Sequence, residues 1–162
     1  MINTISYRSI QPDDYDSLTR IMTAAFNEDT SLHTNIPEDG PPGYNDGSLI
    51  KNLNEVEGVE SKLILFDNTI IGAYSVRIIR DKEYSLEMLF IDPNYREYHP
   101  GTQVWKDIEQ EYADAKCWMV ETPDYSARNH YFYTVKCGFA FEKENVYDNG
   151  EKSFIFKKEI HV

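Results

Sequence analysis

The chain has 162 residues, enough for a single domain spanning 1–162 whose core hides roughly 70% of the unfolded surface. It is 41% apolar and 27% charged, as a folded protein is, and its net charge of −12 disfavours nucleic-acid backbones and anionic lipid. Two cysteines, Cys117 and Cys137, exclude a disulfide framework and read as reduced thiols in a cytoplasm; no apolar run nears the roughly 20 residues of a membrane span, and Met1-Ile2-Asn3 opens no signal peptide.

Ile5 to Ile10 alternates and reads as a strand. A helix capped by Asp13 follows, with Leu18, Ile21, Met22, Ala25 and Phe26 on one apolar stripe. From Asn27 to Gly47 the periodicity is lost, and Asp, Gly, Pro and Asn dominate a long acidic loop. Ser48 opens a short helix through Leu53. Lys62–Phe66 and Ile70–Ile79 form a hairpin across Asp67-Asn68, with Gly72 inside the second strand, and Tyr84–Ile91 is a third strand. A helix is expected over Gly101–Tyr112, a strand over Cys117–Glu121, and a helix over Ser126–Lys136 that stops at Gly138. Phe139–Tyr147 and Ser153–Ile160 close the chain as a hairpin across Asp148-Asn149-Gly150, a type I′ signal. No internal repeat appears. The order predicts an α/β fold with a mixed sheet.

The segment from Leu86 to Thr102 places an apolar strand, a Pro turn and a short loop before an amphipathic helix. Unpaired amides at such a helix start suit an anionic phosphate, and Gly101 permits close approach. The segment is neither a Walker loop nor GxGxxG. The second constellation is Ser126–Phe139, SARNHYFYTVKCGF.

Together with the opening YRSIQPDDYDSLTRIMTAAF and the three-strand meander, these segments resemble the GCN5-related N-acetyltransferase (GNAT) family from Tyr7 to about Phe154. The resemblance implies an acyl-CoA N-acyltransferase fold, with a mixed central sheet of about six to seven strands flanked by about four helices. It also implies acetyl-CoA as co-substrate, no metal, and direct transfer of the acetyl group to a primary amine in a ternary complex. In that family a Gln/Arg-x-x-Gly-x-Gly/Ala loop holds the pyrophosphate. Arg96 matches its first position and Gly101 its last, with Glu97, Tyr98, His99 and Thr102 in the same loop. His99 replaces the middle glycine, and Pro100 removes an amide; His tolerates left-handed backbone better than most residues.

The closing motif is one residue longer than the family's, so that counting back from Gly138 puts Thr134 at the usual Tyr position. A one-residue bulge in the helix would restore Tyr133. Ser126 holds the spacing of the family Asn from Tyr133, while Asn129, one turn later, is the other candidate for the cofactor.

The resemblance implies that the amides around Leu89, Phe90 and Ile91 hold and polarise the thioester. Tyr133 is the candidate acid for the leaving thiolate. Glu87 is the candidate base; strand alternation places it with Leu89 and Ile91 among apolar neighbours. Glu121 and a water chain compete for that role. Glu28, Asp29 and His33 in the acidic segment, with Glu121, are the candidate substrate-binding residues. They suit a cationic amine such as a polyamine, an aminoglycoside or a lysine side chain. His33, His99, His130 and His161 lack metal-ligand spacing. Exposed strand edges and Tyr-rich surfaces admit a homodimer. His99, Pro100 and the displaced Tyr keep a second expectation open: a weakly active or inactive module of the same fold that binds CoA or a partner.

Overall fold

A computed structural model describes residues 3–160; Met1 and Ile2 of the opening segment and His161 lie outside the described residues. The strands are β1 (Ile5–Ser9), β2 (Val59–Phe66), β3 (Thr69–Arg80), β4 (Glu83–Ile91), β5 (Cys117–Pro123), β6 (Ala140–Val146) and β7 (Lys152–Glu159). The helices are α1 (Tyr15–His33), α2 (Ser48–Glu55), α3 (Pro100–Glu111) and α4 (Ala127–Tyr131). The strands form one sheet in the order β1-β2-β3-β4-β5-β7-β6, antiparallel except for β4 beside β5. This is the expected α/β architecture with a mixed sheet. Among the described residues no helix is long and apolar enough to cross a membrane.

Two apolar layers sandwich the sheet. Leu18, Met22 and Ile50 of α1 and α2 pack with Leu63, Ala73 and Phe90. On the opposite face Val104, Trp105 and Ile108 of α3 pack with Val76, Leu86, Trp118, Tyr133 and Phe139. The Asp67-Asn68 turn has φ of 48° and 69°, as a type I′ hairpin requires. The last hairpin differs from the expectation. Only Gly150 takes positive φ there, the Gly150 amide bonds to Tyr147 O at 2.9 Å and the Tyr147 amide to Glu151 O at 2.8 Å. That pattern is a type I turn with a glycine bulge, which Asp148 and Asn149 enter without left-handed backbone.

Three further features build the site, the first two departures from the sequence expectation and the third the helix bulge that it raised. First, α1 does not stop at Phe26 but runs to His33, so Glu28, Asp29 and His33 are helical rather than in a loop. Its buried stripe continues as Asp29 and Thr30, polar residues facing polar partners, and apolar periodicity therefore fades where the helix does not. The cap also moves by one: Asp14, not Asp13, precedes α1, and it accepts from Arg8 and the Gln11 amide.

Second, β4 carries a bulge. Ser75 pairs with Met88 and Val76 with Leu86, leaving Glu87 as the extra residue. The bulge reverses the alternation. Leu86, Leu89 and Ile91 share one core, and Met88 and Phe90 the other. Glu87 accordingly does not lie with Leu89 and Ile91 but joins Arg77 and Ser85.

Third, α4 passes into a π turn over Phe132–Lys136. The Cys137 amide bonds to Phe132 O at 3.0 Å, and the Phe139 amide closes the end on Tyr133 O at 2.9 Å, with Gly138 at φ 85°.

Candidate active site

The strands β4 and β5 pair only from Glu83 opposite Cys117 to Leu86 opposite Val120. Beyond the Glu87 bulge they diverge. β5 stays with β7 through Pro123, and β4 stays with β3, where Gly72 lets the chains close up: a Cβ there would stand 2.0 Å from Phe90 O. The divergence leaves a cavity of about 390 Å³. Its walls come from Ala25, Phe26 and Asp29 of α1, Leu89–Ile91 of β4, Arg96 and His99–Thr102 at the start of α3, and Arg128–Asn129 and Tyr131–Tyr133 of α4 and the π turn.

The α3 end of the cavity is positive in character. His99 takes left-handed backbone (φ 51°), its amide bonds to Arg96 O, and Pro100 occupies the first helical position. The amides of Gly101 and Thr102 then fall in the turn that has no helical acceptors, at the positive end of the helix dipole. A Cβ on Gly101 would stand 3.3 Å from Phe132 Cε1, so a larger residue would press on the cavity wall.

Arg96 and Arg128, both half-exposed, meet on one carboxylate. Glu28 Oε1 lies 2.5 Å from Arg96 Nη2 and 2.8 Å from Arg128 Nη1. Burial and the neighbouring Arg128 charge lower the Arg96 guanidinium from its ordinary value. Asp29 lies deeper, 7% exposed. Its Oδ2 accepts from the Ser126 hydroxyl at 2.5 Å. His33 backs it from the same helix, Nδ1 lying 2.9 Å from Asp29 O.

The π turn resolves the closing motif. It keeps Tyr133 in the wall, buried against Phe132 and Phe139, and leaves Thr134 at the helix surface with its hydroxyl on His130 O. Burial raises the Tyr133 phenol well above its ordinary value, so it stays protonated at neutral pH. The Cys137 thiol nearby is pushed up to about 12, chiefly by burial, which removes it as a nucleophile. Asn129 also lines the cavity and donates to Thr122 Oγ1 at 3.3 Å.

The remaining sequence candidates lie elsewhere. Glu87 is outside the cavity wall, paired with Arg77 rather than set among apolar neighbours. Glu97 and Tyr98 are not in the wall either, and Tyr98 packs on Phe66. Glu121 is exposed and held by Ser153, Tyr147 and Asn145, the hydrogen bonds outweighing burial to lower its carboxyl. Sequence reasoning misses Arg128, whose role depends on a contact from α4 to α1, and Phe132, whose ring is one aromatic among many. Ala25 and Phe26 carry a signal as members of the α1 stripe.

A family model described as the acetyltransferase (GNAT) family matches residues 21–139. The chain belongs to this acetyltransferase family. It is 36% identical over 104 residues to the uncharacterized protein YrkN of Bacillus subtilis (strain 168); the match covers 63% of this chain and 55% of that protein, so the chain spans about half the length of this curated relative. Among solved structures, an acetyltransferase from Thermus thermophilus superposes with a TM-score of 0.75 at 14% identity, covering 97% of each chain. The PaiA N-acetyltransferase of Thermoplasma acidophilum, solved in complex with coenzyme A, gives 0.71 at 16% identity over 97% of this chain and 99% of that one. The ribosomal-protein-S18-alanine N-acetyltransferase of Escherichia coli gives 0.72 at 17%, covering 99% and 96%. At these identities the likeness is one of fold, and it extends over nearly the whole acetyltransferase-family chain.

Proposed function

We propose that the chain transfers an acetyl group from acetyl-CoA to a primary amine by direct attack in a ternary complex. The observation that carries this reading is the divergence of β4 from β5, which opens a cavity bounded at one end by the free amides of α3 and walled by a protonated Tyr133. The residues present fit an acyl thioester of CoA. Gly101 and Thr102 supply amides for a diphosphate, with Arg96 beside them. Leu89, Phe90 and Ile91 bring backbone to the cavity where the sheet has lost its next strand. Acetyl-CoA supplies the activated acyl carbon. Tyr133 holds the proton that the leaving thiolate needs. Asn129 stands where it can donate to the amide-bearing arm of the cofactor.

Family membership supports acetyl transfer, and the coenzyme A bound by the PaiA enzyme of like fold supports the cofactor. The acidic end of α1 supports an amine that arrives as a cation. Two measurements test the reading. Acetyl-CoA at about 100 times Kd should stabilise the protein by roughly 2.7 kcal/mol, a rise on the order of 5 °C in Tm. Free thiol should then appear when a panel of amines is added. No thermal shift at millimolar acetyl-CoA would defeat the proposal, and a shift without thiol release from any amine would leave a binding module.

A further inference from the structure

Strand alternation places Lys158 of β7 on the face shared by Phe154 and Phe156, the face that α3 and the π turn cover. An apolar side chain is the expected occupant there, yet the lysine is fully engaged. Its Nζ donates to the Cys137 carbonyl at 2.7 Å and to Glu109 Oε2 of α3 at 3.0 Å, and it stands 5.8 Å from the centre of the Trp105 ring. Only 22% of the side chain is exposed. Gly138 leaves the room for it: a Cβ there would lie 3.4 Å from Lys158 Cε and Nζ. Fold stability alone does not call for a charge at this place, since apolar groups of similar volume in place of a buried ion pair are often no less stable.

What the lysine holds is the peptide between the two amides that define the π turn. The Cys137 amide donates to Phe132 O at 3.0 Å, and the Phe139 amide takes Tyr133 O, the acceptor that Cys137 would use in an α-helix. The Cys137 carbonyl lies at the helix end, where the chain leaves through Gly138 and helical carbonyls lack amide partners. A cation is a favoured partner for such a carbonyl. A π turn is a rare departure from the α-helix, and a fixed Cys137 carbonyl keeps this one from rewinding.

We infer that Lys158 is a positioning residue for acetyl transfer: by holding the Cys137 carbonyl it keeps the helix in the π register, which sets Tyr133 rather than Thr134 in the cavity wall. The inference rests on the role given to Tyr133 in the acetyl-transfer reading. Lys158 itself lies outside the cavity wall and acts only through the turn.

The test is a cycle between Lys158→Met and deletion of Val135. Val135 is 60% exposed, and its loss removes the extra residue of the turn, leaving Tyr133 one residue closer to Gly138 in a plain α-helix. In the full-length chain Lys158→Met should lower kcat by about 10-fold or more through a misplaced acid, with the Kd for acetyl-CoA within about twofold. In the deletion background, which has no π register to hold, the same substitution should change kcat by less than about twofold. An equal cost in both backgrounds is what a merely structural lysine gives, and it would overturn the inference. So would an unchanged kcat in Lys158→Met, or a deletion protein that fails to fold or to turn over.

The register is also read without turnover. Scalar coupling across the hydrogen bond, measured by NMR, should connect the Cys137 amide to the Phe132 carbonyl in the wild type and lose that partner in Lys158→Met. A coupling that persists would overturn the inference. If Lys158→Met does not fold, Lys158→Gln, shorter and neutral, takes its place in each measurement; if neither folds, the lysine serves the fold and the inference fails. Wild-type protein that releases no thiol with any amine would defeat acetyl transfer itself, an outcome separable from the coupling, which reports whether Lys158 holds the turn.

Discussion

The Cys137 amide reaches back to the Phe132 carbonyl, one residue further than an α-helix allows. This single hydrogen bond rotates the helix so that Tyr133, rather than Thr134, faces the cavity. A π turn is less favourable than a continued α-helix, and such turns concentrate at functional sites.

Tyr133→Phe should therefore separate chemistry from binding. The hydroxyl makes no hydrogen bond among the described residues, so its removal leaves packing and Tm essentially intact. Thiol release should show kcat reduced by about 100-fold. Calorimetry should show acetyl-CoA affinity unchanged. Full turnover in the variant would take the acid role away from Tyr133.

Glu28→Gln should act on the cofactor instead. With the shared carboxylate gone, Arg96 and Arg128 are released to an incoming diphosphate. Exposed ion pairs are worth roughly 0–1 kcal/mol, so affinity for acetyl-CoA should rise by up to about fivefold. Binding should also weaken more steeply with salt than in the wild type. An affinity that falls would mean that Glu28 positions the arginines rather than competing for them.

Gly101→Val adds bulk where a Cβ already stands 3.3 Å from the Phe132 ring. The expected outcome is a Kd for acetyl-CoA raised about tenfold or more, at retained secondary structure by circular dichroism. Unchanged affinity would remove the start of α3 from the binding site.

Alkaline pH should destabilise the fold through its phenols. Burial, and then the carboxylates to which they donate, raise Tyr7 (on Asp107), Tyr74 (on Glu111) and Tyr112 (on Glu60) above the ordinary value, and burial raises Tyr133. The unfolded chain then releases these protons at lower pH than the folded one. Stability is full below about pH 10 and falls as pH rises past it. Urea midpoints measured from about pH 8 to about pH 11 should hold and then drop, with tyrosinate absorbance appearing together with unfolding. Tyrosinate formed in the still-folded protein by these residues would contradict the assignment.

Most of the architecture is legible in the sequence because local rules agree with it. Asp67-Asn68 specifies its turn, Gly138 specifies a helix end, and the stripe from Leu18 to Phe26 specifies the face of α1. The losses occur where a tertiary contact overrides a local pattern. Asp29 and Thr30 read as loop residues because their partners, Ser126 and the Asp39 carbonyl, are distant in sequence or irregular in structure. Strand alternation puts Glu87 on the wrong face because it has no means of announcing a bulge. Among the cavity residues, Gly101 and His99 follow from the family loop that the sequence resembles, and Tyr133 only once a helix bulge is allowed, since spacing alone names Thr134; the meeting of Arg96 with Glu28 and Arg128 has no local signal.

The helix α1 is one rod by geometry and two by energetics. Its front half is anchored by the oily side chains of Leu18 and Met22, its rear half by hydrogen bonds from Ser126 to Asp29 and from Thr30 to the Asp39 carbonyl. Polar anchors can be exchanged for water at modest cost, whereas buried methylenes cannot, so amide exchange along the helix should step up sharply after Phe26. The wall that bears Asp29 thus depends on polar contacts to distant segments, and it should open locally before the front half of the same helix does.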